Sequence, residues 1–203
     1  MVKKIYLILL PFILSLNTQG QQNRLQEAFS QSYKLEASAE YKKAITTLTP
    51  VYDESNYYIN LRLGWLYYLA GDQTRSVGHY KKAIQLMPLS IEARLGIAYP
   101  LSVLGNWDQL IVNYLEILKI DPNHSLTNYR LGSIYYNRGQ YDKARRYLEK
   151  VVNLYPFDYD SLLLLAWTKL HLGQYGEARA LFQTVLLHQP GDESALSGLS
   201  QIK

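Results

Sequence analysis

Residues 125–158 read SLTNYRLGSIYYNRGQYDKARRYLEKVVNLYPFD, and this stretch is one copy of a pattern that recurs along the chain. Four of the seven prolines are separated from one another by steps of 34 residues, namely Pro88, Pro122, Pro156 and Pro190. A fixed period of about 20–50 residues is the sequence signature of a repeat architecture. The spacing therefore predicts four tandem units, at residues 57–90, 91–124, 125–158 and 159–192.

Other positions repeat with the same step and predict a pair of antiparallel helices in each unit. A glycine lies seventeen residues before each proline, at Gly71, Gly105, Gly139 and Gly173. Glycine readily adopts the left-handed conformation that ends a helix, and a proline closes the following helix because it lacks an amide hydrogen. Ser90, Asp158 and Asp192 stand where the next helix needs an N-cap.

The motif Leu131-Gly132-x-x-Tyr135, followed by Gly139-x-Tyr141-x-x-Ala144 and Pro156, resembles the tetratricopeptide repeat. The resemblance implies an all-α, right-handed superhelical solenoid of antiparallel helix pairs. Residues 21–56 resemble a degenerate N-terminal copy or cap, in which Ala39 replaces the glycine. Residues 193–203 resemble a capping helix, and terminal units of a solenoid are often atypical because one face meets water.

The first twenty residues have the pattern of a secretory signal peptide. Lys3 and Lys4 precede an apolar run over 5–16, which is followed by the polar stretch 17–20. Twelve apolar residues are fewer than the roughly 20 that span a bilayer as a helix. We therefore expect export to the periplasm or secretion, with an uncleaved membrane anchor as the alternative.

The composition excludes several classes of protein. The chain of 203 residues is 48% hydrophobic and contains no cysteine, so disulfides, thiolate catalysis and lipoprotein anchoring through cysteine are excluded. The formal net charge of +4 falls to +2 without the two lysines of the signal segment, and no basic run occurs, which gives no indication of nucleic-acid binding.

No sequence motif indicates an enzyme, a cofactor or a metal site. Phosphate-binding loops, nucleophile elbows and paired-carboxylate motifs are missing from the sequence. The four histidines fall at different repeat positions without the i, i+4 spacing of a helical metal site, namely His79, His124, His171 and His188. We expect a protein that is not an enzyme.

Aromatic residues dominate the positions that the resemblance places on the concave face, where the first helix of each repeat faces a ligand. The predicted partner-binding residues are Tyr58, Arg62, Trp65, Tyr68, Tyr99, Tyr129, Arg130, Tyr136, Trp167 and His171, and the degenerate copy adds Phe29 and Tyr33. Tyrosine, tryptophan and arginine are the residues that most often contribute interface energy.

This stripe predicts a scaffold that binds a protein or peptide in an aromatic groove during assembly of an envelope complex, which includes a possible membrane-associated assembly. Three alternatives remain open. In the first, the rings pack between helices, and the two arginines form local salt bridges or stay solvated. In the second, the groove binds a glycan or small molecule. In the third, the face is permanently buried in a structural assembly.

Overall fold

A computed structural model describes the backbone of residues 6–202 and the side chains of residues 20–202. Within that part of the chain all regular structure is helical. The helices are α1 (Tyr6–Ala37), α2 (Tyr41–Leu48), α3 (Tyr57–Leu69), α4 (Gln73–Leu86), α5 (Ile91–Val103), α6 (Trp107–Ile120), α7 (Ser125–Asn137), α8 (Tyr141–Leu154), α9 (Tyr159–His171), α10 (Tyr175–His188) and α11 (Glu193–Ser200), with a 3-10 turn at Thr49–Val51. The predicted all-α fold of helix pairs is confirmed.

The helix ends follow from local chemistry. Gly71, Gly105, Gly139 and Gly173 all have φ between 68° and 82°, the left-handed region that the spacing predicts for them. In the degenerate copy Ala39 takes the same conformation, with φ of 57°, although its side chain disfavours it. The three predicted caps are confirmed, because the side chains of Ser90, Asp158 and Asp192 accept hydrogen bonds from Ala93 N, Ser161 N and Ala195 N at 3.1, 3.0 and 2.7 Å.

The chain forms two compact units, one through Leu110 and one from Ile111. In the first unit α1 packs on α2, and α3 packs on α4 and α5. Its core includes the aliphatic residues Ala44, Leu48, Ile59, Leu63 and Leu66, each at most 5% exposed. Burial of such side chains stabilises a fold by about 1.5–3 kcal/mol each, so α3 is held firmly.

In the second unit α7 packs on α8, and α9 packs on α8, α10 and α11. Phe182 is completely buried between them, in a cluster with Leu162, Ala166 and Val185. Gly198 on α11 makes room for this ring, since a Cβ atom there would lie 2.1 Å from Phe182 Cζ. α11 thus closes the end of the unit's core.

The N-terminal region bears on the predicted signal peptide. That prediction covers residues 1–20, of which residues 1–5 lie outside the described residues and residues 6–19 lack described side chains. Within the described residues we find no helix with the length and apolar character that crossing a membrane requires.

Candidate functional site

The first unit carries a cluster of three aromatic rings from α3 and α5. Trp65 and Tyr68 lie one turn apart on α3, and their ring centroids are 5.4 Å apart. Tyr99 on α5 contacts both rings, at 5.8 Å from Trp65 and 5.4 Å from Tyr68. Tyr99 is 47% exposed, so part of the cluster is open to a ligand. Three predicted residues from two repeats therefore form one surface.

This cluster borders a groove of about 1180 Å³, which we call the N-terminal groove. Helices α1, α3 and α5 supply most of its lining: Phe29, Tyr33, Glu36, Tyr58, Arg62, Trp65, Glu92, Gly96 and Tyr99, with Tyr80 from α4. Tyr58 and Tyr33 are 64% and 55% exposed. A contiguous set of exposed aromatic residues is unusual on a monomer and is typical of a binding surface.

Arg62, which the sequence predicts to contact a ligand, instead binds other residues of the protein. It is 6% exposed, forms an ion pair with Glu36, donates from Nε to Ser32 Oγ at 3.0 Å, and stacks its guanidinium 3.8 Å from the centre of the Tyr33 ring. The same Glu36 carboxylate accepts from Trp65 Nε1 at 2.7 Å. Of the two alternatives for Arg62, the structure shows the local salt bridge. This network joins α1 to α3 and orients the Trp65 ring.

The second unit carries another aromatic cluster, formed by α7, α8 and α9. The His171 ring stacks on Tyr141 at 4.5 Å, and His171 Nε2 lies 3.2 Å from the Tyr136 hydroxyl. Burial, with the neighbouring Tyr141, raises the pKa of Tyr136 above its ordinary value. Trp167 lies 6.3 Å from His171 and donates from Nε1 to Ser194 Oγ at 2.9 Å. Tyr136, Trp167 and His171 thus lie together, as the predicted stripe requires.

The remaining two predicted residues lie in a separate cavity of the second unit, of about 570 Å³. Tyr129 and Arg130 line it with Tyr155, Asp158 and Asp160. Burial, and then the negative charge of Asp160, raises the pKa of Tyr129, which keeps its hydroxyl protonated. Arg130 is exposed and makes no ion pair with any described residue, so its guanidinium can meet a ligand.

Sequence reasoning does not predict three residues of these sites, Glu36, Tyr141 and Tyr80. Glu36 follows Phe29 and Tyr33 at helical spacing on the same face of α1, and this spacing is a sequence signal that could have placed it in the groove. The repeat motif explains Tyr141 as a repeat aromatic and does not predict that it stacks on His171. Tyr80 belongs to a second helix, which no rule of the resemblance directs toward the groove, yet it lines the groove.

The described residues contain no group of three or more histidine, aspartate and glutamate side chains arranged to hold a metal ion. His79 stacks on Tyr67 at 5.2 Å and lies 3.1 Å from Asn60 Oδ1, and its burial lowers its pKa. These contacts keep the ring neutral and packed.

The grooves offer aromatic surface, hydrogen-bond donors and carboxylates, which are groups suited to binding a polypeptide or a sugar.

Comparison with known proteins places three stretches of the chain in one family. Models described as tetratricopeptide repeat match residues 59–90, 113–146 and 138–202, which together make up more than half of the chain.

Many solved structures resemble this fold. The MamA protein has a TM-score of 0.72 at 20% identity, with 82% of this chain and 92% of that chain covered. A tetratricopeptide repeat protein from Parabacteroides merdae ATCC 43184 has a TM-score of 0.75 at 19% identity, covering 89% of this chain and 72% of that one.

Two relatives from Arabidopsis thaliana match a shorter part. The TPR repeat-containing thioredoxin TTL4 and the inactive TPR repeat-containing thioredoxin TTL3 are 29% and 30% identical over 87 residues. The match covers 43% of this chain but only 13% of either relative's length.

Proposed function

Because this chain is a tetratricopeptide repeat protein, we propose that it is a scaffold that binds a protein or peptide partner in the N-terminal groove. The observation that carries the proposal is the surface of Trp65, Tyr68 and Tyr99, whose rings lie 5.4 to 5.8 Å apart beside a groove of about 1180 Å³. Rigid aromatic side chains bury much area on binding and lose little conformational entropy. The proposed role is non-catalytic.

The geometry supports binding because the cluster is oriented before a ligand arrives. Glu36 holds the Trp65 indole through its Nε1 hydrogen bond, and Arg62 holds Glu36 in turn. A side chain that is already fixed loses less entropy when a partner binds, which strengthens binding without any added contact. The second unit offers a similar surface at Tyr136 and His171, which we assign to the same partner class.

We also propose export, with residues 1–20 as a cleaved signal peptide, and a role in assembly of an envelope complex. The support is the order of Lys3-Lys4, an apolar run and a polar stretch. Protein isolated from its native source should lack these residues by mass spectrometry and fractionate outside the cytoplasm. A full-length mass in the membrane fraction would favour the uncleaved anchor instead.

Affinity capture from native envelope extract tests the binding role. We compare the wild-type chain, a Trp65→Ala/Tyr99→Ala variant and a control, Tyr175→Ala, which removes a tyrosine that is 53% exposed and lies outside the groove. Circular dichroism must show that all three are folded. A partner that the wild type and the control retain, and the groove variant loses, is the expected result. Equal retention by all three would contradict binding in this groove.

The second candidate is a glycan or small molecule, because aromatic faces also stack on sugar rings. A neutral oligosaccharide array probed with the same three proteins separates the candidates. Groove-dependent glycan binding without any captured protein would replace the proposed partner.

A further inference from the structure

The floor of the N-terminal groove contains a tyrosine hydroxyl that makes no hydrogen bond with any described residue. This tyrosine, Tyr80, is 3% exposed and lines the groove. Its ring passes between two helices at glycines: a Cβ atom would lie 2.9 Å from Tyr80 Cγ at Gly64 on α3, and 2.6 Å from Tyr80 Cζ at Gly96 on α5. Because Gly96 itself lines the groove, the hydroxyl-bearing end of the ring lies at the groove floor.

Packing alone does not require this hydroxyl. The equivalent repeat position is again a tyrosine in the next unit, Tyr114, but the last two units have Leu148 against Gly132 and Phe182 against Gly198. Both are fully buried and neither carries a polar atom. The Tyr80 hydroxyl thus adds nothing to the core that a phenyl ring would not supply, and it is available to a molecule in the groove.

The missing partner is a hydrogen-bond acceptor. Burial raises the pKa of Tyr80 well above its ordinary value, so the phenol stays protonated and donates. Arg62 Nη2, a second donor on a groove-lining side chain, is also buried without an acceptor among the described residues. The groove thus has more donors than its own acceptors satisfy.

The charges of the lining select among possible acceptors. The groove contains one guanidinium, Arg62, and two carboxylates, Glu36 and Glu92. Glu36 neutralises Arg62, which leaves the exposed Glu92 as unbalanced negative charge. An anionic acceptor would be repelled, whereas a neutral carbonyl would not. A cationic side chain would gain both from Glu92 and from the faces of the exposed rings.

We propose that the N-terminal groove binds a basic peptide segment, one of whose main-chain carbonyl oxygens accepts a hydrogen bond from the Tyr80 hydroxyl. A lysine or arginine of the segment lies between Glu92 and the rings of Trp65 and Tyr99. The proposal rests on the proposed function of this groove and names the chemistry of its partner. Tyr80 thus recognises the main chain of the segment, while Glu92 and the rings recognise its positive charge.

The probe is a phage-displayed library of random peptides, selected on the full chain. We expect selected peptides to be enriched in lysine and arginine over aspartate and glutamate. A selected peptide is then titrated against Tyr80→Phe, with Tyr175→Phe as the matched control at an exposed tyrosine. Loss of one neutral hydrogen bond predicts binding about fivefold weaker for Tyr80→Phe and unchanged for the control. Glu92→Gln should weaken binding and reduce its dependence on salt.

The outcomes separate this inference from the proposed function. Tyr80→Phe loses no hydrogen bond of the free protein, so an unchanged urea midpoint excludes a folding defect as the cause of weaker binding. If Tyr80→Phe binds selected peptides as tightly as the wild type, or if acidic peptides are selected, the inference is wrong. In that case loss of binding by Trp65→Ala/Tyr99→Ala would still support the groove. Selection of no peptide would also overturn the inference, and retention by both groove variants would overturn both proposals.

Discussion

The ion pair beneath the aromatic cluster gives the sharpest test of how the groove is built. Glu36→Gln keeps the side-chain shape but removes the charge that balances Arg62, a side chain only 6% exposed. Stranding one member of a buried pair costs about 3–5 kcal/mol. Glu36 is 24% exposed, so solvent screens part of the loss, and we expect destabilisation of about 3 kcal/mol.

The assay is urea unfolding followed by circular dichroism, with Trp fluorescence as a second signal because the Trp65 indole also donates to Glu36. Glu40→Gln is the matched control, since the pair that Glu40 forms with Lys43 is exposed and should contribute less than about 1 kcal/mol. Adding Arg62→Met to Glu36→Gln removes both charges and should recover part of the loss. Equal effects of Glu36→Gln and Glu40→Gln, or strict additivity in the double variant, would refute the reasoning.

Two further predictions concern the backbone and pH. Ala39 has φ of 57°, a conformation that strains a residue with a side chain, so Ala39→Gly should raise the free energy of unfolding by about 0.5–1 kcal/mol. Gly139→Ala, whose Cβ atom would meet nothing within 4 Å, should lower it by about 1 kcal/mol. If urea unfolding shows changes of the same sign in both variants, backbone strain at these positions is contradicted. Burial, with the charge of Arg75, lowers the pKa of His79, so the unfolded chain binds this proton more readily and stability should decline as pH falls through about 6.5. The urea midpoint should then depend on pH more weakly in His79→Gln than in the wild type, and identical slopes would exclude His79 as the cause.

Most of the fold could be predicted because its signals are local. A glycine that needs positive φ and a proline that lacks an amide hydrogen act on their own turn of the chain, so their step of 34 residues predicts each helix end at Gly71, Gly139 and Gly173. The candidate site was predicted less completely. Helical spacing places Trp65 and Tyr68 on one face, but it does not say that Tyr99 completes the cluster at 5.4 and 5.8 Å.

The sequence by itself determined the repeat, the helix pairs and the aromatic character of the candidate binding face, because these depend on residue type and periodicity. Only the tertiary structure decided how the charges and hydroxyls are used. Arg62 could have met a partner, but packing of α1 on α3 brings Glu36 to it and buries the pair. Tyr80 could have been another core ring, but Gly64 and Gly96 let its hydroxyl end reach the groove. Such pairings join residues from different helices, and their energies depend on distance and burial, which no spacing along the chain encodes.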